Sequence, residues 1–405
     1  MQATVERVIG KMNDYTSRFR GLATATAIAS LFSYAAVLLV TQAANNEIKA
    51  FYGVSLSQLS WLPLATMCGF FVAALSAGAY ADRHGKLRAV LSGCFAMCLG
   101  AAIFAITTDF RVAVLALLVM GIGGGLSECT SMALVSDLYQ DSRRTIMMNV
   151  SQAAFGVGAV ASPFLMNRLI AAGINWRWGY VIIAASCAAS AIVAFAALVM
   201  RHERPIGLHV GANWRANLSD TFVLCLSVGI MLYVGSELGQ SNWMSVYFKD
   251  DLHASRALAA ASPSLLWIGI TLGRASIAWV SNRLSDIAIV RWSLALAGVS
   301  QIALLLSHGP TEALIAAFCL GVFVGPVFPT ITSIAGAAYP EKSGAVLGII
   351  VASGSLGAAI FTPAIGVAGD QLGIRGALWT CFALLAVNVA LFTMLRGRFS
   401  TRSIT

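Results

Sequence analysis

The sequence predicts an all-α membrane protein with twelve transmembrane helices, arranged as two pseudo-symmetric halves of six helices each. Three observations lead to this fold class: an apolar composition, long apolar runs between short polar segments, and an internal repeat. Of the 405 residues, 58% are apolar and 11% are charged, and the mean hydropathy is +0.80. Soluble domains contain about 25% charged residues, so an ordinary cytosolic protein is excluded. The runs are continuously apolar rather than alternating, which excludes a β-barrel.

Twelve apolar runs are long enough to cross the hydrocarbon core, which takes about 20 residues of helix. Their predicted centres lie near residues 32, 69, 97, 124, 158, 189, 233, 270, 298, 325, 356 and 385. Charged or polar breaks separate them, for example at 82–88, 137–144 and 250–256. The first run follows a basic leader and is too long for the core of a signal peptide, so we expect it to be a retained span.

The formal charge of +9 acts as an orientation signal in this setting. With both termini in the cytoplasm, the cytoplasmic segments carry eighteen of the 26 Lys and Arg residues and the outer segments carry seven, while Arg274 falls within a span. This distribution obeys the positive-inside rule. We therefore expect a multi-pass protein of the plasma membrane, the bacterial inner membrane, with both termini cytoplasmic. Its surroundings are the lipid bilayer, and nucleic acid is not an expected partner.

An internal repeat divides the chain. At an offset of 200 residues the matched positions include an arginine, a tyrosine and a proline: Arg83 with Arg283, Tyr139 with Tyr339, and Pro163 with Pro363. We predict an N-terminal six-helix half over 1–200, a cytoplasmic linker over 201–218 and a C-terminal six-helix half over 219–405. A parallel repeat of this kind places a pseudo-two-fold axis along the membrane normal, and transporters use it to build a site between two rocking halves.

The segment between the second and third spans, 78–88, reads Gly-Ala-Tyr-Ala-Asp-Arg-His-Gly-Lys-Leu-Arg. It resembles the G-x-x-x-D-R-x-G-[RK]-x-[RK] signature of the major facilitator superfamily, and the resemblance covers the whole chain. It implies the major facilitator fold. It also implies a gating role for Asp82, Arg83, Gly85, Lys86 and Asp137. We expect a basic residue of this loop to pair with Asp137 at the end of the fourth span; the alternative is a simple orientation charge.

A narrower resemblance is to the fucose–proton symporter branch and similar sugar permeases. Motifs in five spans carry it: Gly123–Glu128, Met148–Gln152, Tyr233–Tyr247, Gly273-Arg274 and Gly325–Pro329. Two positions depart from the branch, because the first span lacks its acidic residue and Met132 stands where asparagine is usual. The resemblance implies proton-coupled symport of a sugar or a sugar-like small solute.

Three ionisable residues fall within apolar runs, where each is costly enough to need a role. Glu128 lies nine residues from Asp137, about 13.5 Å along a helix and therefore near the middle of the bilayer. Glu237 lies in the seventh run and Arg274 in the eighth. A carboxyl in a desolvated cavity can carry a proton, so we predict proton coupling at Glu128 and Glu237.

Polar and aromatic residues near these charges are the candidate substrate contacts. Rings stack on sugar C–H faces, and amides and carboxylates bind hydroxyls. The predicted set is Tyr34, Gln42, Asn149, Gln152, Glu237, Gln240, Trp243 and Arg274. Two interpretations of Arg274 stay open, since it could clamp a substrate carboxylate or be a fixed counter-charge for an internal acidic residue.

Other functions compete with sugar transport. The sequence contains no catalytic motif and no metal-ligand cluster, so we expect neither an enzyme, a cofactor nor a metal site. The alternatives are organic-anion transport on Arg274 and proton-coupled efflux of drugs or metabolites. In each case we expect a monomer that binds a small-molecule substrate. For proton-coupled symport or efflux we expect it to bind protons as well.

Overall fold

The computed structural model describes residues 2–139, 141–200, 220–280, 283–339 and 343–399; within these ranges the side chains of 2–17, 82, 141–146, 149, 277–280, 337, 343–345 and 396–399 are not described. The predicted linker 201–218 therefore lies outside the described residues. Every regular element in the described ranges is a helix, which confirms the all-α prediction. The helices are α1 Gln2–Tyr52, α2 Leu56–Leu59, α3 Trp61–His84, α4 Lys86–Ile106, α5 Phe110–Leu138, α6 Asp141–Ala171, α7 Arg177–Val199, α8 Thr221–Asp250, α9 Arg256–Val280, α10 Asp286–Leu306, α11 Pro310–Val324, α12 Val327–Ala338 and α13 Ser343–Phe399.

Polar residues begin several of these apolar helices. Ser55 forms a capping box with Gln58 at the start of α2, which satisfies backbone groups that a helix leaves free. Asp109 and Asp220 accept hydrogen bonds from the second backbone N–H of α5 and α8, at 2.7 and 2.8 Å. A side-chain acceptor before each apolar run therefore sets where these helices begin.

Ten helical segments of the described residues are long and apolar enough to span a membrane: Arg18–Tyr52, Leu56–Ala81, Lys86–Ile106, Phe110–Leu138, Val150–Ala171, Arg177–Val199, Thr221–Asp250, Asp286–Leu306, Pro310–Gly336 and Val346–Leu395. The protein is thus a multi-pass membrane protein. The ten do not include α9, and the last has 50 residues with a non-helical glycine, Gly373 (φ 72°), inside it. The predicted count of twelve is not confirmed by this tally and stays a prediction.

Glycines at matched positions let the same pairs of helices approach closely. A Cβ on Gly121 would overlap the carbonyl oxygen of Thr66, and one on Gly321 would overlap that of Leu266, 200 residues on from Thr66. Helix α3 packs on α5 in the first segment just as α9 packs on α11 in the second. Close backbone contacts of this kind stabilise helix pairs in lipid, because association there depends on van der Waals packing through small residues rather than on the hydrophobic effect.

Five helix pairs among the described residues pack the segment 18–199 against the segment 220–395: α1 with α8, α1 with α9, α2 with α13, α3 with α13, and α6 with α9. Helices α1 and α8 are therefore central and their later turns are buried on most sides. Both of these helices carry predicted site residues.

Candidate substrate site

A charged cluster joins α8 and α9. The Arg274 Nη2 lies 3.7 Å from the Glu237 Oε1, and the Tyr233 hydroxyl donates a hydrogen bond to the same oxygen. The side chain of Glu237 is 6% exposed and that of Arg274 is 32% exposed. In this conformation Arg274 therefore lies beside an internal carboxylate, and both interpretations of its role stay predictions.

Glu128 contributes a carboxyl from the first segment to the surroundings of Arg274. It lies on α5, and its charge is close enough to Arg274 for the two to interact electrostatically. Tyr34, on α1, lies close to Glu128, stacks on Phe70 with ring centroids 5.6 Å apart, and approaches the backbone of α5 at Gly124. Four of the predicted site residues, Tyr34, Glu128, Glu237 and Arg274, thus come from both segments to one place in the bundle.

Gln240 and Trp243, two further predicted contacts, form their hydrogen bonds with helices of the second segment. Gln240 is buried and accepts a hydrogen bond from Gln301 Nε2 at 2.7 Å, on α10. Trp243 is fully buried and donates from Nε1 to the carbonyl oxygen of Thr362 at 2.8 Å, on α13. Both contacts lie within the second segment, and as substrate contacts Gln240 and Trp243 stay predictions.

The two predicted side chains of α6 differ in what the structure describes. Gln152 is exposed, and its Nε2 lies 3.5 Å from the Met132 sulfur. The side chain of Asn149 lies outside the described residues. Gln42, on α1, accepts a hydrogen bond from Ser241, whose Oγ accepts in turn from Trp267 Nε1 at 2.8 Å. This chain of bonds ties α1, α8 and α9 together next to the charged cluster.

Sequence reasoning missed Tyr233 as a site residue. It lies four residues before Glu237 and therefore on the same helix face, so the spacing alone was a usable signal. Trp267, seven residues and about two turns before Arg274, offered the same kind of signal. Thr362 offered none, because it reaches this region only through the packing of α13 against α8.

Polar contacts between the two segments cluster at one end of the bundle, which we call the sealed end and define by Asn45, Asn46, Glu47, Asp250 and Arg256. Asn45 and Asn46 donate to backbone carbonyl oxygens of α8. Glu47 forms an ion pair with Arg256, and the Lys49 Nζ lies 3.6 Å from the Asp250 carboxylate. These bonds close the bundle between α1 and the helices α8 and α9 on one side of the charged cluster.

A second contact closes the same end between α2 and α13. The Asp370 carboxylate accepts from the backbone N–H groups of Leu56 at 2.9 Å and Ser57 at 2.8 Å. A carboxylate at the N-terminus of a helix satisfies free donors there. Separation of the two segments at the sealed end would have to break this contact as well.

The predicted gating loop lies at the opposite end. Lys86 pairs with Asp137, while Arg83 is exposed. Gly85 has φ 90°, a left-handed value that favours glycine, and it separates α3 from α4. The side chain of Asp82 lies outside the described residues. The Lys86–Asp137 pair ties α4 to α5 within the first segment, so a gating role of this loop stays a prediction.

Membrane-spanning helices, a repeated pattern of helix contacts and a charged cluster built from both segments are the features of a secondary membrane transporter. The Major Facilitator Superfamily model matches residues 22–315 and 278–403. The chain therefore belongs to the Major Facilitator Superfamily, a family of transporters rather than enzymes, and the resemblance seen in the loop 78–88 is confirmed.

Three relatives illustrate what the chain is similar to. It is 23% identical over 339 residues to the glucose/mannose transporter GlcP of Bacillus subtilis, covering 80% of this chain and 82% of the relative. It is 22% identical over 377 residues to the protein TsgA homolog of Erwinia tasmaniensis, covering 91% and 93%. It is 21% identical over 384 residues to bypass of stop codon protein 6 of Saccharomyces cerevisiae, covering 85% and 75%.

Proposed function

We infer that this transporter carries a neutral sugar or a sugar-like solute together with a proton. The observation that carries the proposal is the cluster of one arginine and two carboxyl groups, Arg274, Glu237 and Glu128, assembled from both segments. The similarity to a glucose/mannose transporter supports the sugar class.

The charges of the cluster favour a neutral substrate. Arg274 is already neutralised by Glu237 at 3.7 Å, so the cluster has no surplus positive charge for an anion. When Glu128 is protonated the three groups sum to zero, and when it is ionised they sum to −1. Burying a solute in a site of this composition costs the least free energy when the solute is neutral and Glu128 is protonated, because no unpaired charge is then buried.

Glu128 is the proposed proton carrier because Arg274 belongs to the other segment. When the segments move, the distance between this carboxyl and its opposing charge changes, and with it the affinity of Glu128 for a proton. A ligand shifts a conformational equilibrium only by its differential affinity for the two states. Protonation of Glu128 and binding of the solute would then each favour the conformation with the higher affinity for it, and this shared preference couples the two.

Alternating access of two six-helix halves is the proposed transport mechanism. Twelve spans result if α9 crosses the membrane and α13 is divided at Gly373, whose φ of 72° is matched by Gly173 at an offset of 200 residues. The basic residues support a cytoplasmic location of both termini. In that orientation the sealed end faces outwards, and the conformation described here is closed to the outside.

Organic-anion transport is the second candidate, and one observation favours it. The Nε of Arg274 is buried and lacks a hydrogen-bond partner, although a third of the side chain is exposed. A substrate carboxylate could accept from this nitrogen and displace Glu237 as the partner of Arg274. The two candidates therefore differ in whether Arg274 stays paired with Glu237 when the substrate binds.

Ligand-induced thermal stabilisation of the purified protein tests the substrate class. The panel consists of neutral sugars, monocarboxylates, dicarboxylates and cationic drugs, each at two pH values. A ligand that binds the folded state raises the melting temperature by mass action. Stabilisation by neutral sugars supports the proposal. Stabilisation only by anions, lost in Arg274→Gln, supports the second candidate, and stabilisation only by the drugs supports efflux.

Proteoliposomes test the coupling. We expect Glu128→Gln to abolish sugar uptake driven by a proton gradient while sugar counterflow persists, because exchange needs no net proton movement. Glu312→Gln, an exposed carboxyl at the start of α11, is the matched control and should behave as wild type. If Glu128→Gln abolishes counterflow as well, Glu128 binds the substrate rather than only carrying the proton.

A further inference from the structure

A small cavity lies between the charged cluster and the sealed end. The residues that line it come from α1, α3, α5, α8 and α13, and its polar lining residues are Thr41, Gln42, Thr66, Asn242 and Thr362. On α1 it begins at Leu38, one turn after Tyr34, and on α8 it begins at Leu238, next to Glu237. The cavity is therefore about 6 Å, one helical turn, from the charged cluster on α1.

Two polar groups of the cavity lack protein partners. The Nδ2 of Asn242 and the Oγ1 of Thr362 are buried without a hydrogen bond, and the two residues are 5% and 2% exposed. The other two hydroxyls are occupied, since Thr41 accepts from Tyr180 at 2.8 Å and Thr66 donates to its own helix. A buried polar group without a partner is costly, so an occupant of the cavity would satisfy Asn242 and Thr362.

The chemistry of the lining defines the occupant. Asn242 Nδ2 donates, and Thr362 Oγ1 can donate or accept, so the occupant must offer an acceptor and can also offer a donor. The described lining residues are all uncharged, which disfavours a carboxylate or a cation because a buried unpaired charge is very costly. The volume is about 30 Å³, room for about two water molecules or for one hydroxyl and the carbon that bears it.

We propose that this cavity is a binding subsite for one hydroxyl-bearing group of the transported solute, with Thr362 and Asn242 as its specificity-determining residues. The proposal rests on the sugar-transport function inferred above. A solute placed at the charged cluster is within one helical turn of the cavity, so a ring at the cluster can extend one hydroxyl towards Thr362. In this arrangement the charged cluster binds the proton, and the uncharged residues Thr362 and Asn242 bind the hydroxyl of the sugar.

The test measures binding by the purified full-length protein. The probes are glucose, mannose, galactose and fucose, followed by the mono-deoxy analogues of whichever binds best. We expect the wild type to bind the parent sugar about fivefold more tightly than one of these analogues, the usual effect of a single hydrogen bond. Thr362→Val removes the hydroxyl at constant shape. It should weaken binding of the parent sugar about fivefold and leave the affinity for that analogue unchanged.

Two further variants separate this effect from a general loss of structure. Thr362→Ser keeps the hydroxyl and should retain the discrimination. Ser227→Ala removes another buried hydroxyl without a partner, on α8 but outside the cavity lining, and should match the wild type. If a sugar binds but Thr362→Val leaves the discrimination intact, the cavity holds water only and this proposal is overturned. If none of the four sugars binds the wild type, the inferred sugar transport fails and the subsite fails with it.

Discussion

Removal of the Glu237 charge should expose how strongly the cluster depends on its ion pair. In Glu237→Gln, Arg274 loses a carboxylate partner at 3.7 Å whose side chain is 6% exposed. Breaking a buried pair by removing one partner costs about 3–5 kcal/mol. Arg274 keeps 32% exposure and the nearby charge of Glu128, so we expect the loss of stability to be smaller, about 2–3 kcal/mol.

Thermal unfolding of the purified protein, followed by tryptophan fluorescence, measures this loss. Globular proteins unfold with about 2.1 cal/mol/K of entropy per residue, which for 405 residues converts the expected loss into a fall of roughly 2–4 °C. The double variant Glu237→Gln/Arg274→Gln removes both charges and should recover at least half of the fall, since residues in contact are energetically coupled.

Two results would refute this reasoning. One is a melting temperature of Glu237→Gln equal to that of the wild type, which would mean that the pair contributes nothing to stability. The other is a double variant whose destabilisation equals the sum of the two single variants, which would mean that Glu237 and Arg274 act independently. The exposed Glu312→Gln serves as the control for loss of a carboxylate and should melt as the wild type does.

Three further predictions concern packing, the sealed end and the loop at the opposite end. Gly121→Ala should lower the free energy of unfolding by about 3 kcal/mol, because its Cβ overlaps the backbone of α3. Gly336→Ala, with no atom within 4 Å of its Cβ, should melt at or above the wild-type temperature. Equal melting temperatures of the two variants would contradict the packing argument. Asp370→Ala removes the acceptor of two backbone N–H groups and should loosen the sealed end. A single cysteine placed at Thr41 in a cysteine-free background should then react with a thiol reagent roughly tenfold faster than it does when Asp370 is present. An unchanged rate would show that this contact does not hold the end closed. Lys86→Ala breaks the pair with Asp137, whose side chain is 63% exposed. Thermal unfolding should therefore show a change in the free energy of unfolding below about 1 kcal/mol. A larger change would mean that the pair stabilises the fold.

Much of the fold follows from local sequence because the bilayer imposes it. Backbone polar groups in hydrocarbon must be satisfied internally, so an apolar run of about 20 residues has few alternatives to a helix. The capping residues Asp109 and Asp220 and the turn glycines Gly85, Gly173 and Gly373 mark ends that can be found by inspection. The count of spans is harder to establish, since α9 is not among the candidate spans of the described residues and the last candidate span continues through Gly373.

The candidate site was only partly accessible from the sequence. Burial of a charge is costly wherever it occurs, so Glu128, Glu237 and Arg274 were conspicuous in their apolar runs, and the structure assembles all three. The sequence predicts Gln240 and Trp243 as contacts because they follow Glu237 on the same helix. Helical spacing predicts which face of a helix carries a side chain, but it does not predict which helix that face contacts. In the structure both residues form hydrogen bonds within the second segment.

The sequence by itself determined that the protein is a helical membrane protein of the Major Facilitator Superfamily, because hydropathy, an internal repeat and a loop motif are visible without knowing which helices pack together. The tertiary structure decided which charges meet, which end is closed and where Asn242 and Thr362 lie without partners. They join residues on different helices, which are more than two hundred positions apart in Glu47 and Arg256 and 37 apart in Glu237 and Arg274. They depend on how helices approach through small residues in lipid, and no pattern within a single helix contains that information.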